Sequence, residues 1–230
     1  MLVRPEKPVN IGAVARTIRN TGLAGLDLVD PGDWRTVECW RTAWGAQDIL
    51  ERARVFPTLV EAVADVALVV GLSGRKDAGI APVDIRDAAD RVAALDEGQT
   101  AALVLGSETA GLGRDDLALC SVRARIPTHP EQPSLNLSHA AVVAACEVFR
   151  ALARTPPGPR LATHAEKEAL LDLWRRGLRS IDALPDEHAA GHSRDWRALF
   201  HRAPLTPKDL KMLQHVAWKM VHGDHRDPEE

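Results

Sequence analysis

The sequence lacks the features of a secreted or membrane protein. It has only 3 cysteines in 230 residues, Cys39, Cys120 and Cys146, which lie far apart and in none of the paired spacings that bind zinc. No apolar run approaches the length that spans a bilayer, and the residues after Met1 lack the apolar core of a signal peptide. We therefore expect a cytoplasmic protein whose cysteines are reduced, structural thiols.

The sequence also lacks an excess of either charge. Lys and Arg number 29 against 32 Asp and Glu, which gives a formal net charge of -3. This balance supplies no overall attraction for a polyanion, so any contact with nucleic acid must depend on local arginines. With 45% hydrophobic and 27% charged residues, the composition is that of a globular protein. Its length allows one substantial domain and a smaller appendage.

Short apolar runs alternate with segments of helical periodicity. The predicted strands are residues 2–3, 26–29, 67–70, 101–105 and 122–126. The predicted helices between and after them are residues 11–21, 36–54, 84–96 and 139–149. This alternation predicts an α/β fold, a doubly wound and mostly parallel sheet with helices on both faces. Such sheets bind ligands in loops at the carboxyl ends of their strands.

The first predicted helix carries two arginines on its open side. Asn10 is the expected N-cap and Gly22 the expected stop, with an apolar stripe between them. Arg16 and Arg19 lie three residues apart and off that stripe. The pair indicates either a solvated basic face or a contact surface for an anion.

Three loops gather glycine and polar residues near strand ends. They are Gly71-Leu-Ser-Gly-Arg75, the segment 106–113 with Glu108 as its one acidic residue, and Ser134-Leu-Asn-Leu-Ser138 before the apolar helix. The glycine-rich segment is neither a P-loop nor a dinucleotide fingerprint. The last loop is compatible with simple helix capping or with a ligand site, because a helix start offers unpaired N–H groups.

The C-terminal quarter predicts a small helical appendage. Thr155-Pro-Pro-Gly-Pro159 has the composition of a stiff linker, and capping boxes begin at Thr163 and Thr206. We expect a domain over residues 1–155, a linker over 156–162 and a helical extension over 163–230.

Three segments, in order, resemble the motifs of the TrmH/SpoU family of SPOUT RNA 2′-O-methyltransferases. They are Asn10-Ile-Gly12 with Arg16, Leu105-Gly-Ser-Glu108 with Gly111-Leu-Gly113, and Ile126-Pro127 with Ser134-Leu-Asn-Leu-Ser138. The loop 71–75 and the tail segment 200–210 resemble the TrmJ branch of that family, which methylates tRNA at position 32 of the anticodon loop. The resemblance covers nearly the whole chain.

The resemblance implies a fold and an activity. Family members carry a C-terminal trefoil knot in the α/β domain, bind S-adenosyl-L-methionine in a bent shape, release S-adenosyl-L-homocysteine and work as homodimers on RNA. No metal is implied. The same resemblance makes an rRNA 2′-O-methyltransferase and a non-catalytic RNA-binding relative the alternatives. A nucleotide-dependent oxidoreductase is disfavoured, because no strand is followed by a proper dinucleotide fingerprint.

The resemblance also assigns residues. The implied cofactor contacts are Leu72, Ser73, Gly74, Gly106, Ile126, Ser134, Leu135 and Asn136. The implied catalytic positions are Asn10, Arg16, Glu108 and Asn136. The arginines expected to contact RNA are Arg4, Arg16, Arg19 and Arg75. Three roles stay open: Arg16 acts as a base or orients the substrate, Glu108 binds a cation or fixes its loop, and Asn136 bridges two loops or only caps a helix.

Overall fold

Seven strands form a single parallel sheet. The computed structural model describes residues 1–74, 81–154, 158–183 and 189–223, without the side chains of 189–193. The strands are β1 (Leu2–Val3), β2 (Asp27–Val29), β3 (Arg54–Phe56), β4 (Leu68–Leu72), β5 (Val83–Asp84), β6 (Ala101–Leu105) and β7 (Val122–Arg125). Their order is β3-β2-β1-β6-β4-β7-β5, with parallel pairing throughout. The predicted α/β architecture is confirmed.

Helices cover both faces of this sheet. They are α1 (Pro8–Thr21), α2 (Val37–Thr42), α3 (Gln47–Glu51), α4 (Leu59–Ala62), α5 (Ile85–Ala93), α6 (Arg114–Ala118), α7 (Leu137–Leu152), α8 (His164–Ser180), α9 (Ala189–Arg202) and α10 (Pro207–His222). In β4, Val70 packs with α5 and α7, while Val69 packs on the opposite face with α4 and α6. Adjacent strand residues point to opposite faces, so an apolar run is needed where both are covered. Within the described ranges, none of the helices has both the length and the apolarity needed to cross a bilayer.

Helix α1 begins earlier than the sequence indicated. It starts at Pro8 with Lys7 as its N-cap, so the prediction that Asn10 is the N-cap is wrong. Proline suits the first helical turn because its φ is already helical and it has no N–H to leave unpaired. The predicted end is confirmed, since Gly22 adopts a left-handed φ of 66°.

The predicted helix over residues 36–54 is also wrong. The segment forms α2, a turn and α3, and ends in β3. Gly45 lies in the turn with a φ of 76°, a left-handed conformation that ends a right-handed helix. Trp44 therefore lies outside both helices and is 75% exposed. A continuous helical pattern did not reveal this break, because glycine is only a weak interruption in sequence.

The outcome of the remaining secondary-structure predictions depends on the length of the element. The strands at 67–70, 101–105 and 122–126 and the helix at 84–96 are confirmed to within a few residues. Five elements were not predicted: β3, α4, β5, α6 and α9. Four of these have five residues or fewer, too short for a period of two or 3.6 to be visible.

The C-terminal helices pack on the sheet domain. Capping boxes at Thr163 and Thr206 begin α8 and α10, as predicted. The N–H groups of His164 and Ala165 donate to the carbonyls of Val66 and Ala64, at 2.7 and 2.8 Å. These bonds attach the first turn of α8 to the segment before β4. The predicted linker begins among residues 155–157, which lie outside the described residues, so the domain boundaries stay predictions.

Candidate cofactor and substrate site

A cavity of about 320 Å³ lies at the carboxyl edge of the sheet. Its walls come from the ends of β4, β6 and β7 and from the start of α7. Seven predicted cofactor contacts line it: Leu72, Ser73, Gly74, Gly106, Ile126, Ser134 and Leu135. Pockets for small ligands have volumes from about 300 Å³ upward, so the space is sufficient for part or all of such a molecule. Residues more than 60 positions apart thus form one site.

The glycine-rich loop 106–113 shapes one wall of the cavity. A Cβ on Gly106 would lie 2.0 Å from the carbonyl carbon of Gly111, so two stretches of the loop backbone touch here. Gly111 has a φ of 66°, and a bridge joins it to Ser107. Only glycine allows this approach. The turn directs Ser107, Glu108, Thr109 and Ala110 toward the cavity, which they also line.

A chain of polar contacts connects the three predicted motifs beside the cavity. The Asn10 amide nitrogen donates to Glu108 Oε1 at 2.7 Å. The Asn136 amide nitrogen donates to Asn10 Oδ1 at 3.2 Å. Asn136 Oδ1 in turn accepts from the N–H and the hydroxyl of Ser138, at 2.8 and 2.7 Å. Asn10 is only 5% exposed, so its side chain needs both partners.

The orientation of the two asparagine amides in this series of hydrogen bonds is fixed by the groups at its two ends. The carboxylate of Glu108 accepts only, so the NH₂ group of Asn10 must face it and its oxygen must face Asn136. The N–H of Ser138 donates only, so the oxygen of Asn136 must face helix α7. Asn136 therefore caps α7 and bridges to α1 with different atoms of one amide. Asn136 therefore does more than cap the helix, because its amide nitrogen also contacts Asn10.

The carboxylate of Glu108 lies at the start of α1 and binds the backbone just before the helix. Lys7 makes no side-chain cap bond, and the first turn of α1 has no acidic residue. Glu108 accepts from the N–H groups of Glu6 and Lys7, at 2.8 and 3.2 Å. A carboxylate at a helix start is favourable because the N-terminal end of the helix dipole is positive. Of its two proposed roles, the one seen here is fixing the loop through backbone amides.

The four predicted RNA-contacting arginines differ in their partners. Arg4 pairs with Asp116, and Arg19 pairs with Asp48. Arg75 lies outside the described residues. Arg16 is exposed and makes no hydrogen bond or ion pair with any residue in the described part of the chain. It lies about 9 Å along the α1 axis from Asn10 and, among the described residues, is not part of the cavity lining.

A second polar cluster lies in the C-terminal helices, where the sequence had shown none. His164 and His201 stack with ring centroids 3.7 Å apart, and His201 is 2.6 Å from Glu168. One donor atom from each residue lies within 4.8 Å of the others, a spacing that could hold a metal. The cationic side chains of Lys167 and Arg197 lie against the same group and oppose a metal cation. The sequence signal was hidden because His201 is 37 positions from His164.

Burial and neighbouring groups together set the charge of this cluster. Burial lowers the pKa of His164 to about 3, with His201 adding to the effect. For Glu168, burial raises the pKa, but the hydrogen bond from His201 and the charge of Arg197 outweigh it and lower the value to about 2. At neutral pH the pair is thus a neutral His164 beside a charged Glu168.

For the buried thiols, burial raises the pKa, whereas it lowers the pKa of His164. Cys39, Cys120 and Cys146 are free, and the first two are buried. Burial raises the pKa of Cys39 to about 11 and that of Cys120 to about 12. Thiols of this kind are unreactive and fill the core, as the sequence predicted.

The fold and the site together define an α/β ligand-binding protein with its site at the carboxyl edge of a parallel sheet, the arrangement of cofactor-dependent enzymes. Comparison with known families makes this specific. The chain belongs to the SpoU rRNA Methylase family, which it matches over residues 1–146.

Individual relatives extend the likeness beyond the sheet domain. The chain is 36% identical to the tRNA (cytidine/uridine/adenosine-2′-O-)-methyltransferase TrmJ of Pseudomonas aeruginosa, over 94% of this chain and 90% of that one. The crystal structure of TrmJ from Z. mobilis ZM4 superposes with a TM-score of 0.82 at 32% identity, covering 95% and 96% of the two chains. The SpoU methyltransferase AviRb from Streptomyces viridochromogenes, solved in complex with the cofactor AdoMet, matches at 26% identity and a TM-score of 0.52, covering 65% and 58%.

Proposed function

We propose that this chain is an S-adenosyl-L-methionine-dependent RNA 2′-O-ribose methyltransferase whose substrate is tRNA, with position 32 of the anticodon loop as the target. One observation carries the proposal: two of the three motif segments line one cavity, and the third, through Asn10, is joined to both of them by the Glu108–Asn10–Asn136 hydrogen bonds. The tRNA methyltransferases among its relatives support the substrate class.

The cavity suits the proposed cofactor. Leu72, Ile126 and Leu135 offer apolar surface for a flat ring, while Ser73 and the loop 106–110 offer hydroxyl and backbone groups for a ribose and an amino acid. Bound there, S-adenosyl-L-methionine would supply an electrophilic methyl group on a sulfonium. The work of the protein is then to hold a ribose 2′-OH in line with that methyl.

Arg16 is the group we assign to the substrate. A guanidinium has five N–H donors and no acceptor atom, so it is poorly suited to act as a general base. A charged, forked donor on an exposed helix face suits a phosphate instead. We infer that Arg16 holds the phosphate next to the target ribose and thereby orients its hydroxyl.

The proposal includes a homodimer in the cytoplasm and the family's trefoil knot. Helix α7 leaves Val142, Phe149 and Leu152 between 44% and 56% exposed, which is apolar area that a second copy would cover. The mass in solution by light scattering tests this point. A monomer at micromolar concentration would contradict it.

Transfer of tritiated methyl groups tests the function itself. Purified protein is incubated with labelled S-adenosyl-L-methionine and either bulk tRNA or rRNA, and the product is digested and mapped by mass spectrometry. We expect a 2′-O-methylated nucleotide at position 32 of tRNA. Label only in rRNA would favour the rRNA alternative, and no label with either RNA would favour the non-catalytic one.

Ligand protection of the fold separates this function from an oxidoreductase. S-adenosyl-L-homocysteine should raise the thermal midpoint and NAD should leave it unchanged, because only a ligand that binds the native state stabilises it. Protection by NAD alone would contradict the proposal.

A further inference from the structure

The segment before α1 and the cavity loop each donate hydrogen bonds to a carboxylate of the other. Glu108, in the loop, accepts from the N–H groups of Glu6 and Lys7. Glu6 reaches back in the opposite direction: its Oε2 accepts from the Thr109 hydroxyl at 2.6 Å and its Oε1 from the Thr109 N–H at 3.3 Å. Each segment therefore contributes one acceptor side chain and receives one.

Glu6 binds the cavity loop at Thr109, the residue after Glu108. Thr109 and its neighbours Ser107 and Ala110 line the cavity. The hydrogen bonds of Thr109 and Ser107 lower the pKa of Glu6, so its carboxylate is charged at neutral pH. A charged acceptor that binds both the N–H and the hydroxyl of one residue fixes its backbone and its rotamer together.

We propose that Glu6 is a positioning residue that holds the loop 106–112 in the shape that binds the cofactor. The inference rests on the proposed function, because it takes the cavity as the cofactor site. Glu6 itself is exposed, and among the described residues it is not part of the cavity lining, so it acts through Thr109. Its loss should weaken cofactor binding without removing a cofactor contact.

Binding of S-adenosyl-L-homocysteine by calorimetry, with no RNA present, is the direct test. We expect Glu6→Ala and Thr109→Val each to raise the Kd by about three- to tenfold, the range that the net contribution of one hydrogen bond gives. The double variant should bind no worse than Glu6→Ala, since both changes break the same contact. Glu6→Gln keeps an acceptor oxygen for Thr109 and should fall between Glu6→Ala and the unaltered protein.

A matched control and a kinetic readout separate positioning from loss of structure. Glu97→Ala removes another exposed carboxylate in a region outside the cavity lining and should leave the Kd unchanged. In methyl-transfer assays, Glu6→Ala should raise the KM for S-adenosyl-L-methionine more than it lowers kcat. Equal Kd values for Glu6→Ala and the unaltered protein, or additive effects in the double variant, would overturn the proposal.

Amide hydrogen exchange keeps the two hypotheses apart. Glu6→Ala should speed exchange of the Thr109 amide, which donates to Glu6, and leave the α7 amides unchanged. If the unaltered protein binds no S-adenosyl-L-homocysteine, the proposed function fails, and the exchange rates still decide whether Glu6 holds the loop. Unchanged exchange at Thr109 would reject that role.

Discussion

At the scale of single residues, the site depends on amides and carboxylates that each serve two partners. Asn10 joins Glu108 to Asn136, and Asn136 joins Asn10 to the start of α7. In a polar network of this kind, removal of one member leaves a buried neighbour without a partner, which costs more than the bond itself contributed.

Two substitutions at Asn136 separate capping from bridging. Asn136→Asp keeps an acceptor for the N-terminus of α7 but cannot donate to the buried oxygen of Asn10, so we expect a loss of about 1–3 kcal/mol of stability and methyl transfer reduced by at least about tenfold. Asn136→Ala should also lose about 1 kcal/mol of stability with the cap. Thermal midpoints and single-turnover rates measure the two effects. Wild-type turnover by Asn136→Ala would remove the residue from the site.

Arg16 and Arg19 form a natural comparison because both are exposed on α1 and only Arg19 has an acidic partner. We expect Arg16→Ala to lower methyl transfer by about 100-fold and Arg16→Lys by about tenfold, since lysine keeps the charge and loses the fork. Affinity for S-adenosyl-L-homocysteine should not change, because Arg16 lies outside the cavity lining. Arg19→Ala should lower methyl transfer less than Arg16→Ala, because Asp48 already binds the Arg19 guanidinium. Near-normal turnover by Arg16→Lys would contradict the assigned role.

At the scale of elements, the site depends on loops and on helix α1, and the shape of the loops depends on close backbone contacts. Helix α1 has no side-chain cap of its own. The backbone N–H groups of Glu6 and Lys7, just before the helix, donate to Glu108, which lies about 100 positions later. The start of α1 is thus attached to the cavity loop.

Two of the three glycines that line the described part of the cavity, Gly106 and Gly74, differ in what a methyl group would meet. A Cβ on Gly106 would overlap the Gly111–Leu112 backbone, whereas one on Gly74 would meet no atom of the described residues within 4 Å. We expect Gly106→Ala to cost about 1–3 kcal/mol and to abolish binding of S-adenosyl-L-homocysteine. Gly74→Ala should bind normally. Calorimetry and thermal unfolding of both variants check this, and tight binding by Gly106→Ala would show that the loop tolerates the shift.

At the scale of the whole molecule, helices α8 and α9 of the C-terminal part are packed together around a buried, ionisable cluster. His164 begins α8, where its backbone N–H donates to Val66 of the sheet domain, and its ring stacks on His201 from α9. Glu168, Lys167 and Arg197 complete the charged groups that face it. The packing of these two helices is therefore sensitive to protonation.

Stability should fall on mild acidification. The pKa of His164 is about 3 in the fold against 6.5 when exposed, so between these values the unfolded chain takes up a proton that the native chain does not. Stability is then lost as the pH falls below about 6.5, and we expect the thermal midpoint to drop by about 5 °C between pH 7 and pH 5. Glu168, with a pKa near 2 against 4.5, adds its loss only below about pH 4.5.

His164→Phe tests the origin of this slope. Phenylalanine keeps a flat ring on His201 and removes the group that titrates, so the midpoint should depend less on pH between 7 and 5. An unchanged dependence in this variant would assign the slope to other groups.

Much of the fold and part of the site are determined by the sequence alone. Apolar runs such as 101–105 are local patterns, so they show which residues form buried strands. The spacing of Asn10, Gly106 and Ser134 indicated the family, and the cavity contains seven of the expected cofactor positions. Caps at Thr163 and Thr206 were equally visible, because a cap involves residues only three apart.

Only the tertiary structure decided which side chains meet. Glu108 binds the side chain of Asn10 in α1 across 98 positions, and His201 stacks on His164 across 37 positions. No local pattern reports such pairs, since they depend on how the chain returns on itself. The Glu6–Thr109 contact, 103 positions apart, is of the same kind. The sequence determined which chemical groups the chain carries. The fold determined which of these groups contact one another, because hydrogen bonds and burial depend on distance in space.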